Sequence, residues 1–312
     1  LNIGYIASYC KKIFGDKIEI SLFKYIDKLE KAINEDPPDI IGLSNYAWCY
    51  KIDLEMFRIT LEKNPNAITV WGGPNFPKDI PSQEEFMRNH NDIDFYVPID
   101  GETGFSNIVG KYLELKEKNE MIKEKCLDAP IEGCLSRSKS GMLLYSNPVI
   151  RIKNLDEVPS PYLSGILDQF FDGKLSPMIQ TNRGCPFSCT FCTDGSDLVK
   201  QVNQFGINRV QDELEYIATK VPKNIHSMTI SDLNFGMYPR DLDICQTIAD
   251  CQKNYDYPKI IQASTGKNQK KKIIKAVKLL NGALRLSMSV QSMDDNVLIN
   301  VKRNNISVDQ ML

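Results

Sequence analysis

Arg183-Gly184-Cys185-Pro186-Phe187-Ser188-Cys189-Thr190-Phe191-Cys192 follows a strand-like run from Met178 to Thr181 and spaces three cysteines by three and then two residues. Three thiolates on one loop can wrap a single metal centre, because soft sulfur ligands select iron–sulfur clusters or zinc. A four-iron cubane needs four ligands, so a three-cysteine loop leaves one iron open to a substrate or cosubstrate. A structural zinc site instead wants a fourth local ligand. The two histidines, His90 and His226, are both remote from the loop.

Downstream of the loop, helix and strand alternate. Val210, Leu214 and Ile217 mark one helix face, Met228 to Ile230 a strand, Leu242, Cys245 and Ile248 a second helix, and Ile260 to Ala263 a strand. A third helix over about 271–281 stops at Gly282, and Leu284 to Val290 reads as a further strand. Lys270, Lys271, Lys272, Lys275 and Lys278 fall at helical spacing and read as a wet surface.

Upstream the same alternation recurs. The spacing predicts helices over Ile3–Phe14, Tyr25–Asn34 and the Leu54, Phe57, Leu61 face. Strands are predicted over Ile18–Leu22, Ile40–Ser44, Ala67–Trp71 and Phe95–Ile99. Helices between strands give an open, doubly wound α/β sheet whose ligand lies over the carboxyl ends of the strands. Ser44, Gly72, Gly73, Gly101 and Glu102 all sit there. Gly133, Pro159 and Pro161 punctuate the stretch between the halves, which reads as a connection. The expected division is a Rossmann-like, flavodoxin-like domain over 1–130, a connection over 131–175 and a (βα) domain over 176–312.

Composition bounds the function. With 312 residues, 42% hydrophobic and 25% charged, the chain can bury two ordinary cores. A net charge of -2 gives no basic surface for nucleic acid or an anionic membrane. No apolar run approaches the length of about 20 residues that spans a bilayer, and no secretory pattern opens the chain, so a cytoplasmic setting is expected. Nine cysteines, an odd number, argue for reduced thiols rather than a disulfide framework. The chain opens at Leu1 on a helix, and fewer βα units precede Leu312 than a complete barrel contains, so truncation at both ends is expected.

The cysteine loop resembles that of the radical S-adenosylmethionine (SAM) superfamily. The resemblance implies that Cys185, Cys189 and Cys192 ligate a 4Fe-4S cluster, and that its open iron binds the amino and carboxylate groups of S-adenosylmethionine. Electron transfer would then cleave the cosubstrate to a 5'-deoxyadenosyl radical. It also implies that Phe191 lies near the adenine. Asp232, in the segment Ser231 to Phe235 after the second barrel strand, would serve the cosubstrate amino group. Gln291 and Ser292, in Ser289-Val290-Gln291-Ser292, would meet the ribose, and Arg303 the carboxylate. An arginine fork suits a carboxylate.

The N-terminal half resembles the cobalamin-binding domain that precedes the radical barrel in many members. Ser44, Gly72, Gly73 and the Gly101-Glu102-Thr103-Gly104 turn carry that resemblance, glycines letting a nucleotide tail approach the backbone. The Asp-x-His-x-x-Gly signature that supplies a lower axial histidine is absent, so cobalamin would bind without histidine below the cobalt. A methylthiotransferase relationship fits less well, because Cys10 falls on a helix face and Cys49 is not in the expected setting. The leading expectation is a cobalamin-dependent methyltransferase acting on an unreactive carbon of a small-molecule or natural-product substrate, fed by flavodoxin or ferredoxin. Radical chemistry without cobalamin and a zinc-stabilised binding module are the alternatives. No residue is singled out as catalytic.

Overall fold

The computed structural model describes residues 1–118, 120–138, 140–146, 151–266, 269–285 and 290–303. It divides into two compact units, Asn2–Ile152 and Lys153–Leu312 with Leu1.

The first unit runs α1 (Asn2–Phe14), α2 (Ile26–Glu35), β1 (Ile40–Ser44), α3 (Tyr50–Lys63), β2 (Ile68–Gly72), α4 (Ile80–Asn89), β3 (Phe95–Val97), α5 (Gly101–Glu117), α6 (Ile122–Cys126), β4 (Leu135–Arg137) and β5 (Leu143–Tyr145). The strands lie in that order in one sheet, with β1, β2 and β3 parallel and β4 and β5 antiparallel. Successive strand residues point to opposite faces. Accordingly Ile68 and Val70 of β2 join Phe95, Val97, Ile108 and Tyr112 in one core, while Trp71 joins Phe57, Met87 and Tyr96 in another. Helices cover both faces, so the strands read as nearly continuous apolar runs. This is the doubly wound arrangement expected.

Three expectations need correction here. Ile18, Ile20 and Leu22 are half-buried and Glu19 and Ser21 exposed, yet the segment forms no strand. Alternation records one-sided burial, and a strand also requires a hydrogen-bonding neighbour. β3 ends at Val97, and Ile99 takes a left-handed φ of 62°. The stretch 131–175 is not a single connection: β4 and β5 hydrogen-bond onto β3 and belong to the first unit, and the division falls at Ile152. Asp100 fastens that boundary segment, accepting from Ile152 N and Arg151 Nε, both at 3.0 Å.

The second unit contains β6 (Met178–Ile179), β7 (Asn182–Arg183), β8 (Asn203–Gln204), α7 (Ile207–Lys220), β9 (Ser227–Phe235), α8 (Asp241–Tyr255), β10 (Ile260–Thr265), α9 (Lys270–Leu279) and α10 (Asp295–Asn300). Parallel strands stand in the order β10-β9-β6, and Leu284 bridges Ile261 in parallel beyond β10. Each new strand is thus added beside the last, with α7, α8 and α9 between, which is how a βα barrel grows. Leu284, where a strand is expected to start, makes this one isolated bridge, and residues 286–289 lie outside the described residues. Among the described residues no helix is long and apolar enough to cross a membrane.

Candidate functional site

The cysteine loop is an excursion between β7 and β8, whose antiparallel ladder pairs Asn182 with Gln204 and Arg183 with Asn203 and closes the base. Backbone bonds tighten it: Cys185 N donates to Val199 O at 2.9 Å, Cys192 N to Cys189 O at 3.1 Å and Gly195 N to Cys192 O at 3.1 Å. A Cβ on Gly195 would stand 2.3 Å from Cys189 O, closer than any side chain tolerates. Thr190 N donates to Val301 O at 3.1 Å, tying the loop to the end of α10.

Cys185 and Cys189 are buried and Cys192 is half-buried. Among the described residues no three His, Cys, Asp or Glu side chains converge on one ion position. Three soft thiolates on one loop supply three ligands of a 4Fe-4S cluster and leave its fourth iron open. The donor set therefore fits the cluster. Burial pushes the thiols of Cys10, Cys134 and Cys245 up to about 12, and those of Cys126 and Cys251 up to about 11, marking inert core cysteines.

Below the loop lies β9, in which Met228, Ile230, Asp232 and Asn234 share the buried face. Asp232 does not follow the strand, as expected from sequence, but sits inside it and is 2% exposed. Its Oδ1 accepts from Thr181 N at 2.7 Å and Asn182 N at 3.3 Å, and its Oδ2 from Asn182 Nδ2 at 2.8 Å and from Thr181 Oγ1. The carboxylate thus anchors the entrance to the cysteine loop, and burial raises its pKa from 3.8 to about 6.

Asn234, which sequence reasoning missed, donates through Nδ2 to Cys185 Sγ at 3.3 Å. The strand period of two, counted from Asp232, would have found it. Its Oδ1 and the Tyr238 hydroxyl are buried atoms without a hydrogen-bond partner among the described residues. Burial first, then the neighbouring Cys185, Asp241 and Asp232, pushes the Tyr238 phenol up to about 12. Asp241 Oδ2 accepts from Tyr238 N at 2.9 Å and holds the turn between β9 and α8.

Phe191 is 49% exposed at the loop rim, and the Arg303 guanidinium stands 5.8 Å from its ring centroid. Arg303 is only 4% exposed, so it is not a solvated helix residue. Gln291 is exposed, and Ser292 Oγ accepts from Asp294 N at 3.0 Å, ahead of the Asp294 cap of α10. Ser289 lies outside the described residues.

In the first unit, Ser44 pairs with Gly72 and Gly72 with Val97, so the carboxyl ends of the strands meet at one edge, with Gly101 and Glu102 opening α5 after β3. The glycines answer to the protein's own backbone. Gly73 has a φ of 128° and its Cβ would lie 2.7 Å from Asn45 O, while that of Gly72 would lie 3.0 Å from Val97 O. The expectation that they make room for a nucleotide tail is therefore not needed to explain them. Glu102 is buried. Beside this edge is a cleft of about 440 Å³ lined by Ala47, Trp48, Tyr50, Lys51, Ile52 and Asn75. Trp48, 80% exposed, stacks on Tyr46 with centroids 4.7 Å apart.

Residues 179–312 match the family model described as the Radical SAM superfamily. The matched stretch begins in β6 and runs on through the second unit. Two curated relatives extend the likeness across both units. The 2-(S-pantetheinyl)-carbapenam-3-carboxylate methyltransferase of Streptantibioticus cattleyicolor is 30% identical over 293 residues, 90% of this chain and 40% of that protein. The cobalamin-dependent radical SAM methyltransferase TokK of Streptomyces tokunonensis is 28% identical over 285 residues, 87% of this chain and 39% of that protein. This chain thus spans about two fifths of the length of these relatives. The solved structure of the cobalamin-dependent S-adenosylmethionine radical enzyme OxsB, with aqua-cobalamin and S-adenosylmethionine bound, superposes with a TM-score of 0.67 at 20% identity, covering 99% of this chain and 44% of that one. The expected architecture, a Rossmann-like sheet followed by radical SAM βα units, is the one found.

Proposed function

We propose that this chain carries the cofactor-binding portion of a cobalamin-dependent radical SAM methyltransferase that modifies an unreactive carbon of a small-molecule or natural product. The observation that carries the reading is the cysteine loop, with two of its thiols buried and an amide already donating to Cys185. When bound, the 4Fe-4S cluster supplies the electron that cleaves S-adenosylmethionine to 5'-deoxyadenosyl radical.

The residues divide that work. Cys185, Cys189 and Cys192 would hold three irons, and the ladder between β7 and β8 fixes the loop that carries them. The Tyr238 hydroxyl, buried and without a protein partner among the described residues, offers a hydrogen-bonding group to the polar end of the cosubstrate. Phe191 gives the adenine a half-exposed ring, and Arg303 behind it suits a carboxylate. Gln291 and Ser292 remain the candidates for the ribose. Asp232 supports the loop from below rather than meeting the cosubstrate.

For the first unit, the likeness to cobalamin enzymes and the open cleft beside Ser44 and Gly73, walled by Trp48, support cobalamin binding at the carboxyl edge of the sheet. A low-potential one-electron donor such as flavodoxin or ferredoxin, and a reducing cytoplasm, complete the setting.

Anaerobic reconstitution of the full-length protein tests the reading. Four irons and four sulfides per chain, 5'-deoxyadenosine formed from S-adenosylmethionine under a reductant, and corrin absorbance retained after gel filtration are expected. Stoichiometric zinc without sulfide would replace this reading by a zinc-stabilised module. Deoxyadenosine formed without any corrin retention would leave radical chemistry but remove cobalamin.

A further inference from the structure

We infer that Asn234 is a positioning residue that sets the reduction potential of the cluster through its bond to Cys185, an inference that rests on the cluster reading above. The amide lies on the strand face it shares with Met228, Ile230 and Asp232 and is 2% exposed. Burying a primary amide costs free energy unless its polar atoms are bonded. Here the hydrogen bond given by the side chain goes to sulfur, 3.3 Å away, and its carbonyl oxygen has no partner among the described residues. The asparagine is thus poorly explained by packing or by the stability of the metal-free chain.

The chemistry of the acceptor supplies the missing reason. A protonated thiol is a weak acceptor, whereas a metal-bound thiolate carries charge and accepts without donating. The N–H end of the amide is therefore the end that must face Cys185 once the loop is loaded, and the bond strengthens on loading. A hydrogen bond to a cluster sulfur stabilises the more negative, reduced state, so it raises the potential. Asn234 makes the one-electron reduction easier without touching the reacting atoms.

The test uses the reconstituted full-length protein and a redox titration with dithionite followed by electron paramagnetic resonance. Asn234→Leu keeps the branched shape and removes the donor. It is expected to shift the reduced-to-oxidised ratio at fixed potential about tenfold toward oxidised cluster, about 59 mV for one electron. Asn234→Asp, which also adds negative charge, is expected to shift it further. Both variants keeping the wild-type midpoint at full iron and sulfide content would overturn the inference. Should the variants not hold a cluster, wild-type protein with isotope-labelled asparagine decides. A weak nitrogen coupling to the reduced cluster from an asparagine side chain supports the bond, and its absence refutes it. Wild-type protein that takes up no iron would instead overturn the cluster reading itself, a distinguishable failure.

Discussion

Replacing Asp232 with alanine should destabilise the second unit by an amount that grows as the pH falls. The carboxylate accepts four hydrogen bonds, two of them from the backbone N–H groups of Thr181 and Asn182, which are themselves buried. Orphaning those two donors costs about 1–3 kcal/mol each. Against this stands the cost the wild type bears for burying a charge: raising the carboxyl from 3.8 to about 6 separates its two protonation states by about 3 kcal/mol. Because the folded pKa is raised, the folded state binds the proton more tightly. Asp232 therefore contributes stability that is fully present below about 3.8 and lost as the pH rises through about 6. At pH 7 the two effects largely offset, leaving Asp232→Ala changed by about -1 to 3 kcal/mol, whereas near pH 4 the variant should be destabilised by about 2–3 kcal/mol more. Urea unfolding of the reduced, metal-free chain, followed at both pH values, measures the difference directly, since other titrating groups are common to both proteins. An Asp232→Ala penalty that is equal at pH 7 and pH 4 would refute the reasoning.

Other outcomes follow from single contacts. Gly195→Ala places a Cβ 2.3 Å from Cys189 O, so iron retained after reconstitution should fall severalfold while the far-ultraviolet spectrum stays native. Gly73→Ala meets Asn45 O at 2.7 Å in a left-handed turn and should cost the first unit about 2–4 kcal/mol by denaturant titration, whether or not cobalamin is present. Trp48→Ala, at an exposed position, should change stability by no more than about 0.5 kcal/mol yet weaken cobalamin retention on gel filtration, and unchanged retention would remove the cleft from the cobalamin site.

Much of the architecture was legible in the sequence because its signals are local. The apolar faces of α3, α7 and α8 recur at helical spacing, and the runs at Ile40–Ser44 and Ile68–Trp71 are continuous because helices cover both faces of their sheet. The spacing of Cys185, Cys189 and Cys192 is legible for the same reason, since a single loop supplies all three thiols. Ile18–Leu22 misled because alternation reports which side is buried and says nothing about a neighbouring strand. β4 and β5, three residues each, carry too little pattern to be distinguished from a connection.

What only the tertiary structure decided concerns residues whose meaning depends on partners far along the chain. Asp232 and Asn234 differ by one strand period, yet one grips Thr181 and Asn182 and the other reaches Cys185, about fifty residues earlier in each case. Gly73 is explained by Asn45, and Arg303 by its burial behind Phe191. The sequence by itself determined that three thiols share one loop at the end of a strand, since that needs only their spacing. Which groups stand beneath those thiols was set by the packing of β9 against the loop, because burial and hydrogen-bond partnership are properties of the folded neighbourhood and not of any one segment.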